Sequence, residues 1–179
     1  MPTRKPNVYL VGPMGSGKTT IGRLAAELLG LSFVDCDNEL ETRTGASVNL
    51  IFDVEGEEGF RMRETQLIEE LCDRRDCLVA TGGGAVLSAE NRRNMKRSGL
   101  VVYLKTSVPQ QISRLRLDKK RPLLQTSDRE RRLAALAEKR NPLYLELADI
   151  VFTSQSRSIQ TAAQRLSDLV QSSWASGDD

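Results

Sequence analysis

Histidine is absent from this 179-residue chain. That removes the usual base for activating a serine or cysteine nucleophile, and it argues against a zinc site. Cysteine is scarce: Cys36, Cys72 and Cys77 are odd in number and show no C-x-x-C spacing. They read as reduced thiols in a reducing compartment, two of them packed in the core, rather than as a disulfide framework. Neither sign of charge dominates, since 26 Lys and Arg stand against 24 Asp and Glu for a net charge of +2. That excess is too small to suggest a nucleic-acid partner. Long hydrophobic runs are missing as well. The apolar stretch after the charged N-terminus reaches only about six residues before Pro13, too short for a signal-peptide core or a membrane span. The expected location is the cytoplasm. No repeat, linker or low-complexity segment interrupts the chain.

The residues that are present read as one soluble α/β domain spanning 1–179. Charged residues at 28% and apolar residues at 39% are ordinary values for a globular protein. Five short apolar runs, Val8–Val11, Leu31–Val34, Cys77–Ala80, Leu100–Leu104 and Ile150–Phe152, alternate with helical patterns. Such alternation predicts a parallel sheet covered on both faces. Ile21, Leu24, Ala25, Leu28 and Leu29 recur at helical spacing, and Gly30 supplies a stop. Phe60, Glu64, Leu67, Ile68 and Leu71 trace a long helix; 88–98 and 107–117 predict two more. Ser127-Asp-Arg-Glu130 has the capping-box pattern of a further helix with Leu133, Leu136 and Ala137 inside. Ile159, Ala162, Ala163, Leu166, Leu169 and Val170 mark the last helix, and the tail from about 171 to 179 is expected to fray. The charged, weakly periodic stretch DKKRPLLQTS, 118–127, reads as a mobile loop, with a lid at about 113–127.

Gly12 to Thr19 forms the pattern Gly-x-x-x-x-Gly-Lys-Thr between a predicted strand and a predicted helix, the context a phosphate-binding loop requires. Its glycines let backbone N–H groups turn toward phosphate oxygens, and the helix N-terminus adds its positive end. Lys18 would bridge the β- and γ-phosphates, and the Thr19 hydroxyl would ligate Mg²⁺. Many such folds hold the metal with an aspartate ending another strand, but the third run ends Ala-Thr-Gly-Gly-Gly without one. The second run ends Phe-Val-Asp35-Cys-Asp37. Residues two apart in extended chain face the same way, so both carboxylates are expected at the strand's C-terminal end, where ligands of parallel sheets sit. One could orient metal-bound water while the other accepts a bond from the attacking hydroxyl.

Two features bear on the acceptor. Thr81-Gly82-Gly83-Gly84 directly follows a strand, which either lets a ligand approach the backbone or makes a strained turn. Phe60-Arg61-x-x-Glu64 sets an arginine one turn before a glutamate. This is either a surface pair contributing a few tenths of a kcal/mol (~0.2–0.5) or an arginine held so that its fork can grip a carboxylate.

The chain resembles the shikimate kinases. The matching segments are GPMGSGKTTIGR, DCDNELETRTG, IFDVEGEEGFRMRE, TGGGAV, VVYL, DKKRPLL and KRNPLYLELAD, in the family's order from about residue 7 to 155. The resemblance implies a P-loop, nucleoside-monophosphate-kinase-like fold with a five-stranded parallel sheet in the order 2-3-1-4-5. It implies a substrate-binding helical region at about 37–64. It further implies transfer of the ATP γ-phosphoryl group to the 3-hydroxyl of shikimate on the route to aromatic amino acids. By that match, Gly15, Ser16, Gly17, Lys18, Thr19 and Thr20 would bind the ATP phosphates, and Arg114 would pack along the adenine. Asp37 would hydrogen-bond the ring hydroxyls and accept the attacking hydroxyl's proton. Arg61 and Arg140 would clamp the carboxylate, the Gly83 backbone would line that pocket, and Glu64 would hold Arg61. Asp35 would act on magnesium through water beside Thr19. Arg121 would reach the transferring phosphoryl as the lid closes. Thr19 stands where the family often has serine, and either hydroxyl serves. TSQSRSIQ would form the adenine-contact loop, with Arg157 contacting through its backbone.

Two other readings remain at this stage. One is a gluconate- or nucleotide-directed kinase of the same fold; the other is a nucleotide-gated binding module without transfer activity. A monomer is expected, since no apolar stripe is evident.

Overall fold

A computed structural model of the chain describes residues 4–116, 128–154 and 158–177. Strand β1 (Asn7–Val11) leads through a glycine-rich loop into α1 (Lys18–Leu29), and β2 (Ser32–Asp35) into α2 (Cys36–Thr44) and α3 (Val48–Cys72). Then follow β3 (Cys77–Ala80), a short 3₁₀ turn (Ala85–Leu87), α4 (Ala89–Ser98), β4 (Gly99–Leu104), α5 (Val108–Leu115), α6 (Arg129–Leu147), β5 (Ile150–Phe152) and α7 (Ile159–Ser176). The five strands form one parallel sheet in the order β2-β3-β1-β4-β5. All five strands lie within a residue or so of the apolar runs. Among the described residues no helix is long and apolar enough to cross a membrane.

Alternation along each strand splits the core in two. Tyr9, Val11, Val79, Val101 and Tyr103 meet Leu67, Ile68 and Leu71 of α3, Met95 of α4, and Tyr144 and Leu147 of α6. Val8, Leu10, Leu78, Val102 and Leu104 face the other way, onto Ile21, Ala25 and Leu29 of α1 and Ala163, Leu166 and Val170 of α7. Burial on both sides is why these strands read as unbroken apolar runs. The C-terminal strand ends are therefore open on one edge, where β1 meets α1 and β2 meets α2.

Several expectations need correction. Asp37 is not in extended chain, because β2 stops at Asp35 and Asp37 lies in the first turn of α2. The cause is local: the Asp35 carboxylate accepts from the Asn38 N–H at 3.1 Å and caps the new helix. The Ser127 capping box does not open α6, whose N-cap is Asp128 without a side-chain capping bond; Ser127 itself lies outside the described residues. The tail does not fray at 171, because α7 continues to Ser176. Trp174 extends the Val170 face by one turn, packs against the core, and lies 5.8 Å from the Lys5 ammonium. All three cysteines, not two, are buried and free. The residues expected to form the lid (113–127) fall largely outside the described chain, and so do Arg121 and Arg157.

Candidate active site

The loop between β1 and α1 takes left-handed backbone at Gly15 (φ 78°) and at Gly17 (φ 91°), the N-cap of α1. A side chain at either position would be strained. Helix α1 carries no side-chain cap and no acid in its first turn. Its positive end and free N–H groups are thus left for an anion. The Lys18 ammonium lies across the loop and donates to the carbonyls of Gly12 and Pro13. Ser16 is buried, and its hydroxyl has no hydrogen-bond partner among the described residues. From this loop a groove of about 600 Å³ runs between Gly15, Thr20, Gln110, Arg114, Ser158 and Ile159. Arg114 donates to the Gly15 carbonyl at 2.9 Å, so the expected nucleotide residues Gly15, Gly17, Thr20 and Arg114 share one groove.

A second cavity of about 560 Å³ adjoins it, with Asp35, Asp37, Phe52, Arg61, Glu64 and Arg140 among its walls. Thr19, next to Thr20 of the groove, donates from its hydroxyl to Asp35 of this cavity at 2.6 Å. The residues expected at a metal are therefore in contact, and Asp35 caps α2 at the same time. Their hard oxygens suit Mg²⁺, which keeps several of its waters and takes few protein ligands. Cys36 sits between the two aspartates in sequence. Burial beside Glu64, Asp37 and Asp35 pushes its thiol well above the usual range, so it is no nucleophile.

The three glycines after β3 are explained by close approach, not by strained backbone. A Cβ on Gly82 would stand 2.9 Å from Glu64 Oε2 and 3.3 Å from Asp37 Oδ1. One on Gly83 would stand 3.3 Å from Arg140 Nη1, and one on Gly84 only 2.2 Å from Arg61 Nη2. Each glycine makes room for polar side chains of the wall: Gly82 for Glu64 and Asp37, Gly83 for Arg140, Gly84 for Arg61. Gly84→Ala should accordingly push Arg61 aside and raise the KM of a carboxylate-bearing acceptor about tenfold, with the nucleotide KM unchanged; steady-state kinetics checks both.

Arg61 donates to Glu64 Oε1 at 2.9 Å. This pair is not a surface pair, because Glu64 is 1% exposed. Burial pushes the Glu64 carboxyl up and the Arg61 charge pulls it back, while Glu64 Oε2 finds no partner among the described residues. Arg140 of α6 is 7% exposed and lies within hydrogen-bonding reach of the Tyr144 hydroxyl, but among the described residues it forms no ion pair and its Nε has no partner. An unpaired guanidinium is costly to bury. Two guanidinium groups, those of Arg61 and Arg140, thus line one cavity with the three glycines.

Sequence reasoning missed Tyr144. It lies one turn after Arg140 on α6, donates its hydroxyl to the Gly83 carbonyl at 2.6 Å, and stacks on Tyr103 at 5.0 Å. Burial pushes its phenol up to about 12, which keeps it a donor to that carbonyl. The available signal was the spacing of Arg140 and Tyr144, four apart on one helix face.

The family model described as shikimate kinase matches residues 14–171. A shikimate kinase of Pasteurella multocida is 52% identical over 167 residues, covering 93% of this chain and 95% of the relative. One of Shewanella pealeana is 49% identical over 162 residues, covering 90% and 95%. Among solved structures, the shikimate kinase of Acinetobacter baumannii in complex with shikimate superposes with a TM-score of 0.90 at 48% identity, covering 94% of each chain.

Proposed function

The chain belongs to the shikimate kinase family, and from that premise we propose how its own residues transfer the γ-phosphoryl group of ATP to the 3-hydroxyl of shikimate. The observation that carries the acceptor is Arg140, buried and without an ion pair among the described residues, beside Arg61 in the glycine-lined cavity. Shikimate brings the missing carboxylate, and its ring hydroxyls then face Asp37. Glu64 holds Arg61 in register. Asp37 accepts the proton of the attacking hydroxyl, directing that oxygen toward the loop that holds the phosphates. Gly15, Ser16, Gly17, Thr19 and Thr20 line that loop and its helix, and Lys18 balances the β- and γ-phosphate charge. Arg114 flanks the base in the neighbouring groove.

Thr19 and Asp35 would hold Mg²⁺, the latter through water. When bound, the ion neutralises charge spread over the phosphoryl oxygens. Transfer of this kind needs positioning and charge balance more than covalent help. Arg121, from the DKKRPLL segment, supplies a further cation to the transferring group. Arg121→Ala should lower kcat on the order of a hundredfold, as removal of a transition-state donor does, while shikimate affinity stays within about twofold. Stopped-assay kinetics with calorimetry reads both, and unaltered turnover would remove Arg121 from the mechanism.

A coupled assay of ADP release with Mg-ATP and either shikimate or gluconate tests the whole reading. Release above the acceptor-free rate is expected with shikimate alone. A rate with shikimate equal to the acceptor-free rate would overturn it. We propose that the chain is a monomer, which light scattering after gel filtration checks. Three free thiols suit the reducing cytoplasm.

A further inference from the structure

Helix α3 is broken once. Gly56 has φ 73° and ψ 177°, a region open essentially to glycine alone. Nothing lies within 4 Å of where its Cβ would be, so the requirement is one of backbone, not of space. Two pairs of residues straddle the break, each eight positions apart. Phe52 stacks on Phe60 at 4.5 Å between centroids. Arg63 donates twice to Glu55, at 2.7 Å and 2.6 Å. In a straight helix, residues eight apart are separated by about 12 Å along the axis and cannot touch in either way. The contacts exist because the chain bends at Gly56.

The bend also explains Gly59. A Cβ there would come within 2.5 Å of the Glu55 Cβ, so EGEEG places one glycine to turn the chain and a second to admit Glu55. Residues before the break, Val48, Asn49, Phe52 and Asp53, line the acceptor cavity; residues after it, Phe60, Arg61 and Glu64, line the facing wall. The angle at Gly56 therefore sets the distance between the two walls. Phe52 and Phe60 span the bend against the core, and the Glu55–Arg63 ion pair spans it as well. The pair is partly exposed, at 42% for Arg63 and 34% for Glu55. Its two hydrogen bonds hold the Glu55 carboxyl below its usual range, and bidentate geometry distinguishes it from an ordinary surface contact.

We infer that Glu55 and Arg63 are positioning residues for the acceptor: their pair pins the bend at Gly56 and thereby sets where Asn49, Phe52 and Asp53 stand against Arg61. The inference rests on the functional reading above. It assigns the pair no contact with substrate and no part in nucleotide binding.

The test compares Glu55→Gln, Arg63→Gln, and the reversed pair E55R/R63E, with melting temperatures confirming that each variant folds. Each single variant should raise the KM for shikimate about two- to fivefold, the range open to a partly exposed pair. The KM for ATP and kcat should stay at wild-type values, and the reversed pair should recover most of the loss. Gly56→Ala, which forces an unfavourable backbone at the bend itself, should raise the same KM about tenfold. Single variants with an unchanged KM for shikimate overturn the inference. So does a change shared equally by the KM for ATP, or a reversed pair that recovers nothing. A wild-type protein without shikimate-dependent ADP release would instead overturn the functional reading, and this inference with it.

Discussion

Asp37→Asn should lower kcat about a thousandfold while leaving the Kd for ADP within twofold of wild type. The side chain starts α2, where the helix's positive end favours a negative charge, and it lines the acceptor cavity beside Gly82. Asparagine keeps the size and one acceptor oxygen, so the cavity shape and the hydrogen bond to a ring hydroxyl survive. What it loses is the charge and the capacity to take a proton from the attacking oxygen. General-base assistance contributes roughly 10²–10⁴ in rate, which sets the expected loss. Asp37 is not among the residues that wall the nucleotide groove. Rapid-quench measurement of product formation, with calorimetric titration of ADP, separates the two effects. A variant that retains more than a tenth of wild-type kcat would reduce Asp37 to a binding residue.

The sheet was legible because both its faces are buried: apolar runs such as Cys77–Ala80 have no solvent side to disguise them. The phosphate loop was legible because glycine, lysine and threonine spacing is dictated by the ligand. Asp35 and Asp37 show where local pattern stops being enough. Period-two reasoning held them in one strand, but an aspartate at a strand end can also cap the next helix, and Asp35 does so. Which use prevails depends on a helix whose existence α2's weakly amphipathic sequence hardly announces. The arginines are a harder case. Arg61 and Arg140 are 79 positions apart, and only the resemblance joined them before the fold brought both to Gly83 and Gly84. The bend in α3 went unread although EGEEG carries it, because helix-forming glutamates flank both glycines. Trp174 was lost to the polar residues around it, which lie on α7's exposed face and mask the continuing apolar spacing.

Arg61→Ala should weaken shikimate binding several-hundredfold, about 3.5 kcal/mol, with little change in the Kd for ADP. Truncating one member of a buried, hydrogen-bonded charge pair costs about 2–5 kcal/mol, much of it the penalty of stranding the partner. Here two partners are stranded. Glu64, 1% exposed and already pushed toward its neutral form by burial, loses the Arg61 cation that hydrogen-bonds it. The substrate carboxylate loses half of its clamp. These losses can be told apart. Removing both sides of the internal pair, as Arg61→Ala with Glu64→Ala, relieves the stranded carboxylate, so that double variant should bind shikimate more tightly than Arg61→Ala alone. Arg61→Ala combined with Arg140→Ala should fall short of the sum of the single losses, because after the first arginine is gone the carboxylate no longer sits where the second can grip it. Calorimetric titration of shikimate into the wild type and the four variants, Arg140→Ala alone included, reads all of these terms. Affinity unchanged in Arg61→Ala would sink the carboxylate clamp and leave the Arg61–Glu64 pair as a purely internal support of α3.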